Sequence, residues 1–75
     1  MDKKEMILNI LKEHSCLTGR EISVFIFNKY QESITPTSIT GTLRSLYSQG
    51  YVGKSFNSKG KTVYWLIGGW LINAL

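Results

Sequence analysis

Few side chains in this 75-residue chain could do covalent chemistry. It has one histidine, His14, and one cysteine, Cys16. Its acids, Asp2, Glu5, Glu13, Glu21 and Glu32, are scattered. They form no nucleophile–base pair, metal-ligand set or phosphate-cradling loop, so neither an enzyme nor a cofactor or metal is expected. His14 and Cys16 could in principle share a metal, but two ligands do not make a zinc site. The better reading is a surface His14 and a small, buried Cys16. One cysteine cannot form an internal disulfide, which excludes a stapled secreted scaffold.

The hydrogen-bonding side chains are more informative. Thr35–Gly50, TPTSITGTLRSLYSQG, reads as one short amphipathic helix with both ends marked. Thr35 is a suitable N-cap, Pro36 fits the first turn and Gly50 can take the left-handed conformation that stops a helix. Ile39, Leu43 and Leu46 fall at i, i+4 and i+7, a stripe that must face a core. The other face carries Thr37, Ser38, Thr40, Gly41, Arg44 and Ser45. It is small, polar and free of acids, unlike the Lys/Glu-rich face of an ordinary solvated helix. Such a face admits close approach by a partner and suits DNA recognition.

Charge points the same way. The net charge is +4. In residues 1–32, Lys3, Lys4, Lys12, Arg20 and Lys29 offset the acids. Residues 33–75 hold Arg44, Lys54, Lys59 and Lys61 with no Asp or Glu. The excess positive charge thus lies in and after the Thr35–Gly50 stretch, which favours a polyanion. The N-terminus MDKKEM lacks a signal peptide's apolar centre, and Val63–Leu75 is too short and too interrupted to span a bilayer. A cytoplasmic protein without membrane or small-molecule partners is expected.

The remaining elements must hold that helix. Asp2 and Glu5 have capping-box spacing ahead of Met6, Ile7, Ile10 and Leu11, which predicts a helix over about 2–13. Thr18 and Glu21 form a second box, with a helix to follow over about 19–30 and Ile22, Phe25, Ile26 and Tyr30 on its core face. Val24 and Phe27 lie off that stripe, so this helix is either nearly enclosed or meets another subunit. The third helix spans about 36–49. After Gly50 the period shifts towards 2, giving strands at Tyr51–Phe56 and Lys61–Ile67 around the loop Asn57–Gly60. An apolar tail, 68–75, closes a single domain.

Three helices and a hairpin resemble the winged helix-turn-helix family, an α+β class. The resemblance rests on Leu17-Thr18-Gly19-Arg20-Glu21-Ile22, similar to the family's approach into its second helix. It rests also on Ile39, Leu43, Leu46, Gly50, Tyr51 and Val52 across helix 3 into the wing, and on Lys61-Thr62-Val63-Tyr64-Trp65-Leu66 as the returning strand of PadR-like and MarR-like repressors. Those repressors carry a long dimerisation helix that is not seen in this chain. At this length it is similar to phage, plasmid or archaeal-virus regulators, acting in a bacterial, archaeal or virus-infected host cell. The resemblance implies that helix 3 enters the major groove of double-stranded DNA while the wing touches phosphate or minor groove.

The residues fit those roles. Arg44 can bond guanine O6 and N7 together, Thr37, Ser38 and Thr40 suit base edges or phosphates, and Gly41 permits close approach. Lys54, Lys59 and Lys61 would neutralise phosphates, joined by Arg20 at the start of helix 2, Ser45, and the loop residues Asn57 and Ser58. Each has a plainer alternative: solvated hydroxyls, an Arg44–carboxylate pair, or lysines that merely guard a sheet edge. For the uncharged stretch after Tyr64, a homodimer contact through Trp70, Leu71 and Leu75, with Phe27 from helix 2, is expected. The alternative is a tail folded onto helix 1 of its own chain. The competing function is a protein-interaction adaptor or inhibitor on the same scaffold.

Overall fold

The computed structural model describes residues 2–67. Their elements run α1 (Lys3–Glu13), α2 (Gly19–Tyr30), α3 (Pro36–Ser48), β1 (Val52–Phe56) and β2 (Thr62–Leu66). The tail lies outside the described residues, as do Trp70, Leu71 and Leu75.

Each helix begins where a side chain satisfies the free amides of a first turn. The Asp2 carboxylate accepts from Glu5 N at 2.8 Å. At α2 the box is reciprocal: Thr18 Oγ1 accepts from Glu21 N at 3.1 Å, and Glu21 Oε1 accepts from Thr18 N at 2.9 Å. Thr35 Oγ1 accepts from Ser38 N at 3.2 Å, with Pro36 in the first helical position. Such caps contribute about 1 kcal/mol each. α2 stops at Gln31, whose φ of 60° reverses the chain, and α3 stops one residue sooner than predicted, before Gln49 and Gly50, whose φ is +84°.

The core is the meeting of three stripes. Ile7 and Ile10 from α1, Ile22 and Ile26 from α2, and Ile39, Leu43 and Leu46 from α3 are fully buried, closed by Val52 of β1. Removing such side chains from water contributes about 1.5–3 kcal/mol each. Phe25 and Tyr30, predicted on the same face of α2, are only half-buried at its margin. Phe25 stacks on His14, ring centroids 4.2 Å apart, and the Tyr30 hydroxyl accepts from Asn9 Nδ2 at 3.2 Å. A phenol needs a polar partner, which holds Tyr30 at the rim.

The hairpin is antiparallel, in register from Val52↔Leu66 to Phe56↔Thr62. Both strands are shorter than predicted. Tyr51 turns its amide back to Leu46 O, 3.0 Å, and Lys61 gives its amide to the Asn57 side chain, 3.0 Å. A contact the sequence did not suggest ties the hairpin down. Leu17 and Tyr64 exchange both backbone hydrogen bonds, at 3.0 and 2.8 Å. This also corrects the reading of Cys16. A left-handed step there, φ 60°, leads Leu17 inward, and Cys16 is exposed, not buried.

Candidate nucleic-acid interface

α2 and α3 meet through Gly19. A Cβ there would stand 2.9 Å from Thr40 Oγ1 and 3.6 Å from Pro36 O, so a larger residue would push the two helices apart. The first turn of α2 thereby backs the first turns of α3 and leaves the far side of α3 uncovered. An open depression lies on that side, lined by Pro36, Thr37, Thr40, Gly41 and Arg44. Gly41 is exposed, and a Cβ added there meets no atom within 4 Å. Arg44 is exposed, and among the described residues the ion pair present is Lys29–Glu13, at 2.8 Å.

The predicted face is therefore one surface, but its members differ. Thr37 and Arg44 project freely. Thr40 is half-buried and donates its hydroxyl to Pro36 O at 2.9 Å. Ser38 is half-buried and accepts from Lys3 Nζ at 2.8 Å. Ser45, one position past Arg44, accepts from Gln49 Nε2 at 3.2 Å. Arg20 is exposed in the first turn of α2.

The hairpin packs against α3 near its C-terminal end. Its tip is braced by Asn57, whose Oδ1 accepts from Lys59 N and Lys61 N at 2.9 and 3.0 Å, while Gly60 takes φ +77°. The carbonyl end of Asn57, predicted to face phosphate, is thus occupied in holding the turn. Ser58, Lys59 and Lys61 are exposed around it. The Lys54 ammonium sits 4.7 Å from the centroid of the Tyr47 ring on α3.

Solved structures carry the same arrangement. The hsRosR structure, determined as a complex, superposes with a TM-score of 0.81 over 95% of this chain, at 24% identity. The chain has the winged helix-turn-helix fold. A peroxide stress regulator from Campylobacter jejuni matches 84% of this winged helix at TM-score 0.69 and 28% identity. A Thermoplasma acidophilum protein assigned as a transcriptional regulator matches 92% at TM-score 0.70 and 27% identity. This chain spans 61% of hsRosR, 46% of the Campylobacter protein and 72% of the Thermoplasma protein. No family model and no curated protein sequence matches it.

Three features of the winged helix were not foreseen. Lys3 reaches Ser38 across 35 positions of sequence, and no local pattern signals such a contact. Tyr47, to which the sequence pattern assigns no role, forms the platform under Lys54. Phe56 is 71% exposed, although a strand pattern alone gives no reason for an aromatic there to stay outside. Phe27, expected at a subunit contact, is 53% exposed beside Val24 at 55%, so α2 is not enclosed on that side.

Proposed function

We propose that this protein is a transcription regulator that binds double-stranded DNA, with α3 in the major groove and the wing against the backbone. The observation that carries the reading is the free side of α3: open at Gly41, unpaired in charge at Arg44, and part of a half of the chain without acids. The regulators among the structural neighbours support it. Arg44 is the base reader, bidentate to guanine, with Thr37, Ser38 and Thr40 on base edges or phosphates. Arg20, Ser45, Lys54, Ser58, Lys59 and Lys61, with Asn57 as brace, hold the sugar–phosphate chain.

Repression follows as the simplest outcome, because a bound domain occludes its site. A homodimer on a two-fold operator is part of the proposal, with Val24 and Phe27 offering apolar surface and Trp70, Leu71 and Leu75 assigned to the same contact. The same exposed pair on α2 favours a second reading, an adaptor that binds protein. A fluorescence-anisotropy titration on random-sequence duplex at two salt concentrations separates them. A DNA binder weakens steeply with salt, and Lys59→Ala lowers the slope by about one unit. Salt-insensitive or absent binding would reject the DNA reading in favour of the adaptor.

A further inference from the structure

We propose that Phe56 is an apolar wedge that enters the minor groove, opens one base step and bends the duplex. The inference rests on the DNA-binding reading above and adds to it how the wing engages.

Phe56 closes the last rung of the hairpin opposite Thr62 and is 71% exposed. Alternation along β1 puts Val52, Lys54 and Phe56 on one face of the sheet. Val52 is buried on the core, and Lys54 lies over Tyr47 of α3. Phe56 therefore stands on the face turned towards α3, about 7 Å beyond Lys54 at the usual strand rise. A duplex seated along α3 would meet it there.

The surroundings select the occupant. Lys59 and Lys61 lie in the turn that follows Phe56, and no acid follows Glu32. A second copy would bring the same lysines against these, so self-association at the tip is opposed by charge. A polyanion with a narrow groove is matched on both counts: phosphates for the lysines, and stacked base edges for the ring. The tip is also stiff. Asn57 ties the amides of Lys59 and Lys61, and Asn57 N donates to Lys61 O at 2.9 Å. A ring on a braced turn can be driven between bases without the turn collapsing. Apolar side chains used in this way kink DNA by about 20–90°, most readily at flexible pyrimidine–purine steps.

The test begins with a duplex selected by the full chain from a random-sequence pool. 2-Aminopurine is placed at successive positions in that duplex, and end-to-end energy transfer reports the bend. The protein should brighten 2-aminopurine at one step and bend the duplex within that range of about 20–90°. Phe56→Ala should abolish both and weaken binding about tenfold, which is about 1.4 kcal/mol. Its salt slope should not change, because no charge is removed. Phe56→Leu should retain most of the bend. Phe56 is outside the core, so circular dichroism of both variants should match the parent. A straight bound duplex, or an Ala variant that bends it equally, overturns the wedge and leaves the DNA reading standing. If no duplex is selected, the DNA reading itself fails. Phe56-dependent binding to phosphatidylserine vesicles without a duplex effect also overturns the wedge.

Discussion

Gly41→Ala should make this protein more stable and a worse DNA binder. Gly41 is the sixth residue of α3, exposed, in helical conformation, with nothing within 4 Å of an added Cβ. No packing cost accompanies the methyl group. The change removes backbone freedom from the unfolded chain, which in a helix interior is worth about 0.5–1 kcal/mol. For a domain of this size about 1 kcal/mol moves the melting midpoint by roughly 4–8 °C. The same open space is where the proposed duplex must come close. A methyl group inserted into a contact packed as tightly as a protein interior costs about 1–3 kcal/mol. Thermal or urea unfolding reads the first effect, and anisotropy on duplex DNA reads the second. A destabilised variant would refute the helical account of residue 41. A stabilised variant that binds DNA as tightly as the parent would refute the claim that glycine is there for close approach.

Arg44→Ala should leave the melting midpoint unchanged, since the side chain is exposed and unpaired. It should cost about 1–3 kcal/mol in binding and relax preference at one base pair, measured by titration on a panel of single-base variants. Gly53→Ala should loosen the wing, because the new Cβ would collide with the Trp65 indole lying across it. Hydrogen exchange at the Ser55 and Val63 amides, which bond across the hairpin, should accelerate, and unchanged protection would contradict the packing. The bond from Lys29 holds the Glu13 carboxyl below its ordinary value and the Lys29 ammonium above its own. A depressed acid stabilises above its unfolded-state pKa and loses that contribution as pH falls through its folded value. Lys29→Ala should therefore raise the Glu13 titration midpoint by NMR, with little change in melting at neutral pH because the pair is exposed.

The helices were legible because their signals are local. Thr18 and Glu21, or Thr35 and Pro36, specify a start within four residues, and the buried stripe Ile39, Leu43, Leu46 follows from spacing alone. The free side of α3 was legible for the same reason: what does not face the core must face outwards. Contacts that depend on distant segments were not. Cys16 looked like a small core residue until the pairing of Leu17 with Tyr64 fixed which way the loop turns. Ser38 and Thr40 read as open hydroxyls, yet Lys3 and the close seat of Gly19 against Thr40 half-cover them. Asn57 read as a phosphate contact, but its carbonyl holds the turn.

The pairing of Leu17 with Tyr64 has a thermodynamic consequence for any complex. It fastens the segment between α1 and α2 to β2, while Lys54 over Tyr47 links β1 to α3. α3 and the hairpin are thereby set at a fixed angle in the free molecule. Little conformational disorder is left to be lost on association, so the rate should follow diffusional encounter and orientation, with no slow folding phase of the wing.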